Sequence, residues 1–313
     1  MVSITKVDSG AVDWEKCPYA SAFTNPAVLS CLAERVDWWV AKKGNEELCF
    51  WPIALNDGSV QLPLFSYHVG PIWTLAGSRA RKGTRSLSAP LSVYNGFLEA
   101  FGEYYQNISA SLGLDEIDVR AFDWWNFGEA DSRRLRVKPR YTAQLDFRNI
   151  LNEEELIQGY RELRRRELRK ARKSLSFIRC SEIDWDILKE MYSQTVDEPV
   201  ESSGISLDKL RALSELDCTR LLVLRDATHP AEVLFAALLL FGHSTANLIL
   251  NLQNSRLRGR GIGALGIHET LLAAKREGAT KFDFNGANSP KRGDDKHSYG
   301  AEPRLFFEIE GIL

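Results

Sequence analysis

The chain has 313 residues, 44% hydrophobic and 26% charged, with 40 Lys and Arg set against 42 Asp and Glu for a net charge of −2. That length admits two domains with cores of their own, and the charge balance excludes a global attraction to nucleic acid or to a membrane surface. The longest apolar run, Val233 to Phe241, is far too short to cross a bilayer and fits a buried strand. Cys17, Cys31, Cys49, Cys180 and Cys218 are odd in number, show no C-x-x-C and have no histidine at zinc-ligand spacing. They read as reduced thiols in a protein without a metal, and Asp8, Asp13 and Glu15, where a signal peptide needs an apolar run, make the expected location cytoplasmic.

In chain order, the first half predicts a helix over Pro26 to Lys42 and strands over Leu48 to Leu55 and Val60 to Tyr67. A turn at Gly70-Pro71 follows, then a loop from Ala76 to Ala89, a helix over Leu91 to Leu112 and a strand over Ile117 to Phe122. Arg140 to Phe147 alternates apolar and polar residues, as a strand leading from one domain into the next would. The predicted division is therefore residues 1–140 and 141–313. Beyond it come helices over Glu153 to Lys173 and Trp185 to Val196, and strands over Thr219 to Arg225, Glu232 to Phe241 and Thr245 to Leu252. A polar loop then leads to a helix starting near Ile262, which carries an apolar stripe of Ile262, Leu265, Leu271, Leu272 and Ala274 and stops at Lys275, Arg276 and Gly278. A last strand covers Lys281 to Asn285. Strand, loop, helix and strand thus appear twice, about 170 residues apart by the spacing of the pattern, which predicts an α/β (α+β) protein of two similar domains.

The junction at residues 258–263 carries the most chemistry. Three glycines let the backbone turn and approach a ligand, while the free amides and dipole of the following helix favour an anion. Gly261-Ile262-Gly263-Ala264-Leu265-Gly266 satisfies G-x-G-x-x-G, the dinucleotide fingerprint, with Asp283 near ribose distance. That motif wants its first glycine directly after the strand, and here Asn254 to Arg260 intervenes as a polar, basic loop. Read from Arg258, the same residues give R-x-x-G-x-G: Arg258, Gly259, Arg260, Gly261, Ile262 and Gly263, followed by Ala264. This resembles the pyrophosphate loop of the GCN5-related N-acetyltransferase (GNAT) superfamily, in which the loop joins a central strand to a helix and holds coenzyme A.

Tyr160 to Lys173 is the most basic stretch, and as a helix it sets Arg166 and Arg169 three apart on one face, where they can grip phosphates bidentately or stand in solvent. The strand Tyr141 to Phe147, the pattern Arg166-x-x-Arg169-Lys170-Ala171-x-Lys173, the glycine loop, an aspartate in the last strand, Lys296 and Tyr299-Gly300 together resemble the FemABX peptidyltransferases. The likeness covers roughly residues 135 to 305, and Ser66 to Trp73 resembles that family's strand before a Gly-Pro turn. It implies two tandem GNAT-like domains, each a mixed, mostly antiparallel sheet flanked by helices. The chain departs from the family in lacking a long coiled-coil insertion and in having the R-x-x-G-x-G loop, which members using aminoacyl-tRNA do not need. The combination is similar to enzymes that acylate amino sugars on a nucleotide carrier.

An amine attacking a thioester needs a proton acceptor and an oxyanion donor. The resemblance points to backbone N–H groups of Leu250, Asn251 and Leu252 for the oxyanion, with Leu252 also beside the cofactor. Proton acceptors are expected from Asp283 through Asn285 to Lys296, His297 and Tyr299, as the chain leaves the sheet. Asp283 between Phe282 and Phe284 is either a half-buried base or a strand-end acid paired with an arginine. His297 has a suitable unperturbed pKa in a polar loop, Lys296 suits a phosphate or an oxyanion, and water alone can serve as base. Seven tryptophans lie in the first 125 residues, and of these Trp124 and Trp125, followed by Asn126, are the candidates to stack on a sugar or base.

The expected function is transfer of an acyl group, acetyl or 3-hydroxyacyl, from acyl-CoA to the amine of a nucleotide-linked amino sugar in a ternary complex. Arg166, Arg169, Lys296, Tyr299, Trp124 and Trp125 would bind the acceptor. The alternatives are a FemX-like aminoacyl-tRNA transferase, which the glycine loop opposes and the basic helix favours, a non-catalytic nucleotide-binding module, and a nicotinamide oxidoreductase.

Overall fold

The computed structural model describes residues 2–81, 88–116, 118–129, 134–195, 207–257 and 259–313, the side chains of 195, 291 and 292 excepted. It divides into two units, Met1–Tyr141 with Leu305–Leu313, and Thr142–Arg304.

Unit 1 begins with β1 (Ser3–Val7), α1 (Pro26–Leu32), β2 (Arg35–Lys43), β3 (Glu46–Asn56), β4 (Ser59–Val60) and β5 (Ile72–Trp73). These strands form an antiparallel sheet in the order β1-β2-β3-β4, with β5 also on β3. Next come α2 (Leu75–Ala80), α3 (Ala89–Gly102), β6 (Asn107–Ser111) and α4 (Arg120–Asp123). The helix expected to reach Lys42 stops at Leu32, because Val36, Trp38, Trp39 and Val40 pair with β3 instead. The helix expected to reach Leu112 ends at Gly102, and its last residues form β6. The strand expected over Ile117 to Phe122 is instead α4, Ile117 lying outside the described residues. The core gathers around Trp51, fully buried and edge-on to Tyr94, Phe97, Phe101 and Phe122 at 5.2–6.1 Å. Aromatic pairs of this geometry add about 0.5–1.5 kcal/mol each beyond their burial.

The division between units falls inside β7 (Arg136–Asp146), one residue past the predicted boundary. Unit 2 then holds α5 (Glu153–Gln158), α6 (Glu162–Ser174), β8 (Phe177–Cys180), α7 (Trp185–Thr195), α8 (Leu207–Ser214), β9 (Thr219–Asp226), β10 (Val233–Phe241) and β11 (Thr245–Gln253). It continues through α9 (Ile262–Arg276), β12 (Lys281–Asp283) and α10 (Pro290–His297) into the first residues of β13 (Glu302–Ile312). The sheet order is β7-β12-β11-β10-β9-β8, antiparallel throughout except for the pair β11 and β12. The single helix predicted from Glu153 to Lys173 is two, parted at Gly159-Tyr160-Arg161. The residues from Leu305 onward, expected in the second domain, belong to unit 1, where Glu308–Ile312 pair antiparallel with β6.

Candidate functional site

The glycine loop follows β11. Arg258 lies outside the described residues, but Gly259 and Gly261 are described, and both take left-handed backbone, φ 83° and 81°. At Gly261 the space is as decisive as the angle: a Cβ there would stand 2.3 Å from the Glu167 carbonyl oxygen of α6. The carbonyl of Gly261 accepts the first α9 bond, from Leu265 N–H at 3.0 Å. The amides of Ile262, Gly263 and Ala264 in the first turn have no earlier helical carbonyl to meet, which leaves them for an anion. Two cations brace the loop from outside: Lys170 Nζ donates to the Gly259 carbonyl at 2.7 Å, and the Arg260 guanidinium donates to the Ser174 carbonyl at 2.9 Å. Arg260 is therefore engaged with α6.

Below the loop, β11 and β12 are paired only at Thr245↔Lys281, Ala246↔Phe282 and Asn247↔Asp283, after which β11 runs on to Gln253. The two parallel strands part like a wedge, and the stretch of β11 that carries Leu250, Asn251 and Leu252 has no strand beside it on that edge among the described residues. Against β10, Leu250 faces Leu238 while Leu248 faces Leu239, so Ile249 is an extra residue, a β-bulge. The sequence offers no sign of it, since Ile249 reads like any other apolar strand residue.

The second wall is the turn after β12. Asp283 is 1% exposed and accepts from the Thr142 hydroxyl, from Gln144 Nε2 at 3.4 Å and from the Asn285 backbone N–H at 2.8 Å. Thr142 and Gln144, which hold it from β7, were not legible as site residues, because period-two alternation marks a face and not a partner. Asn285 is also buried, with φ 53°, and its Nδ2 donates to the Leu248 carbonyl at 2.9 Å. Lys296 caps the carbonyls of Asn285 and, at 2.7 Å, of Gly286. His297, expected in a loop, ends α10, and its Nδ1 meets the Ala301 carbonyl at 2.8 Å, so Nδ1 carries the proton. The Tyr299 ring is buried, stacked on Phe284 at 5.9 Å, edge-on to Tyr160 at 5.3 Å and under the Arg164 guanidinium at 5.4 Å. Burial pushes its phenol well above the ordinary tyrosine value, so it is neutral.

Helix α6 joins these walls. Arg164 donates to Ser298 Oγ at 2.8 Å and pairs with Asp295, while Arg161 pairs with Asp294 at 2.5 Å, all on or next to α10. Glu167, Lys170 and Ala171 form the face that meets the glycine loop. At about 100° per residue, Arg165, Arg169 and Arg172 project from the opposite face. There they line a cleft of about 300 Å³ floored by Ile157 and Leu168, with Arg165 and Arg169 sharing Glu162 at 2.9 and 3.0 Å. Arg166 is exposed and lines no part of that cleft. The structure thus groups Arg169 with Arg165 and Arg172 and turns all three away from the loop. Trp124 and Trp125 belong to unit 1: Trp124 is half exposed with Arg120 over its ring at 5.6 Å, and Trp125 packs against the unit 1 core. No group of three or more His, Cys, Asp or Glu that could hold a metal occurs among the described residues, and none of their helices is long and apolar enough to cross a membrane.

A parallel strand pair that splays beneath a glycine loop, in the second of two α/β units, defines a tandem GNAT-like fold. Neither a protein-family model nor a curated protein matches the sequence. Among solved structures, the chain is similar to a crystal structure of FemX, at 12% identity over 99% of this chain and 97% of that one, with a TM-score of 0.65. It is similar too to a tandem GNAT protein from the clavulanic acid biosynthesis pathway, solved without AcCoA, at 12% identity, 99% and 98% coverage and a TM-score of 0.56. An acetyltransferase from the GNAT family of Colwellia psychrerythraea aligns at 11% identity, 99% of each chain and a TM-score of 0.52. At these identities the likeness is one of fold.

Proposed function

We propose that the protein is an N-acyltransferase that moves an acyl group from coenzyme A to the amine of a nucleotide-linked amino sugar. The observation that carries this reading is Gly261, seated where a Cβ would strike the Glu167 carbonyl, at the start of a helix whose first-turn amides lie beside the stretch of β11 that no strand pairs on that edge among the described residues. Such a cradle suits a diphosphate, and the open strand edge suits the amide groups of a pantetheine arm laid along it.

In the proposed reaction the acceptor amine, in its neutral form, attacks the thioester carbonyl. The oxyanion is received by a backbone N–H of the bulged segment from Ile249 to Leu252, with Leu250 the first candidate. The amine then loses a proton to water or to the free Nε2 of His297, the C–S bond breaks, and the thiolate leaves to be protonated by solvent. Asp283 acts by position, since Thr142, Gln144 and the Asn285 amide engage its carboxylate, while the Lys296 ammonium places a positive charge beside the turn. Incubation with a panel of acyl-CoAs and nucleotide-linked amino sugars, read by mass spectrometry, tests the proposal. An acylated sugar with stoichiometric free thiol supports it, and a wild-type protein that does not bind coenzyme A in a calorimetric titration would falsify it.

A second reading changes the donor to an aminoacyl-tRNA. It is favoured by the exposed Arg166, Arg169, Arg172 and Lys173 on α6. Binding to tRNA that falls steeply between about 50 and 200 mM salt, with no affinity for coenzyme A, would select it.

A further inference from the structure

The register of β11 and β12 predicts the next ladder bond after Asn247↔Asp283. Leu248 would lie opposite Phe284, and in a regular parallel ladder its carbonyl would accept the backbone N–H of Asn285. That N–H is diverted to Asp283 Oδ1 at 2.8 Å, and the N–H of Phe284 goes to the Ala143 carbonyl of β7 at 2.9 Å. Asn285 itself turns left-handed, φ 53°, and its side-chain Nδ2 reaches back to the Leu248 carbonyl at 2.9 Å. The main-chain bond has been replaced by a side-chain bond from the same residue. The backbones of the two strands are thereby set apart by the length of an asparagine side chain at the vertex of the wedge.

We infer that Asn285 is the positioning residue that fixes where β11 and β12 part, and so where the thioester arm can enter; the identity of that ligand rests on the function proposed above. Three features separate this role from that of an ordinary turn residue. Glycine is the residue that suits a positive φ best, but it cannot reach Leu248. Asn285 Oδ1 is buried with no hydrogen-bond partner among the described residues, a cost that a residue selected for stability would avoid. And the turn is braced from both sides, by Thr142 and Gln144 through Asp283 and by Lys296 on the Asn285 and Gly286 carbonyls.

The test compares Asn285→Gly and Asn285→Asp with wild type, by calorimetric titration of coenzyme A and by amide hydrogen exchange along β11. Asn285→Gly keeps the turn and removes the reach. It should weaken coenzyme A binding about tenfold, the equivalent of one hydrogen bond, and speed exchange at Ile249 to Gln253 while α9 is unchanged. Asn285→Asp can donate to Leu248 only when protonated, so its defect should be full at pH 8 and shrink as the pH falls through the carboxyl range. An Asn285→Gly protein with wild-type exchange at Ile249 to Gln253 overturns the inference. The exchange measurement needs no ligand, so a wild type that fails to bind coenzyme A refutes the proposed function while leaving the role of Asn285 decided by exchange alone.

Discussion

Replacing Gly261 with alanine adds one methyl group, and the structure says what it meets. The backbone φ of 81° costs a non-glycine residue about 1–2 kcal/mol. The new Cβ would lie 2.3 Å from the Glu167 carbonyl oxygen and 3.3 Å from the Ala171 Cβ, so either α6 or the loop must move, an overpacking penalty of about 1–3 kcal/mol. Together these predict a destabilisation of about 2–5 kcal/mol, or roughly 4–20 °C in melting temperature for a unit of this size. Gly259 is the matched control. Its φ is 83° and a Cβ there meets nothing within 4 Å, so Gly259→Ala should show only the backbone cost, about 1–2 kcal/mol. Differential scanning calorimetry of the two variants, followed by coenzyme A titration at a temperature where both are folded, measures both halves of the argument. Gly261→Ala should melt below Gly259→Ala and bind coenzyme A at least tenfold more weakly. Equal melting temperatures would mean that the contact with α6 does not seat the loop, and the reasoning would fall.

Asp283→Asn should lower the rate by the same factor across the pH range, because the carboxylate anchors a turn; a loss confined to pH below the pKa of the acceptor amine would instead make Asp283 the base. Lys296→Met should reduce turnover more than it weakens coenzyme A binding, and equal losses of both would leave Lys296 only its bracing of the turn. Arg169→Ala should change neither coenzyme A affinity nor stability by more than about 1 kcal/mol, since its pairing with Glu162 is solvent-exposed and on the far face of α6, and a larger effect in titration would contradict that placement. His268, buried on α9 against Tyr160, Arg172 and Glu153, has its pKa held below the ordinary histidine value, chiefly by burial. The unfolded chain then binds the proton more readily, so stability should be complete above about pH 6.5 and fall below it, by at most about 1.4 kcal/mol per unit. Urea midpoints of wild type and His268→Gln at pH 7.5 and 5.5 check this, and parallel declines in the two proteins would exclude His268 as the cause.

What the sequence made legible follows from the range of each signal. The apolar runs of β9, β10 and β11 and the capped, striped α9 were readable to within a residue or two, because local pattern specifies them. Gly261 was readable as a special position, and the structure adds that α6 closes on it. In the first half, Arg35 to Lys43 hid a strand behind a helix signal, since pairing with β3 overrode a pattern compatible with either. The bulge at Ile249 and the exchange of ladder partners at Asn285 depend on register between distant segments, which no single stretch encodes. The arginines of α6 could be placed on a helix but not on a face, because the break at Gly159 and the packing against α9 and α10 set the rotation.

The return of Leu305–Leu313 to unit 1 has a consequence for how the chain is made. Unit 2 is continuous, so its residues have all been synthesised before the last strand of unit 1 exists. Phe306 and Ile309, each 1% exposed in the finished protein, reach β6 and its neighbours only after all of unit 2 has been synthesised. Until then the edge of β6 that this strand will cover waits with unpaired N–H and C=O groups, open to any passing strand. The order of synthesis therefore runs against the order of the two units: unit 2, with the glycine loop, can close first, and unit 1 closes only after it.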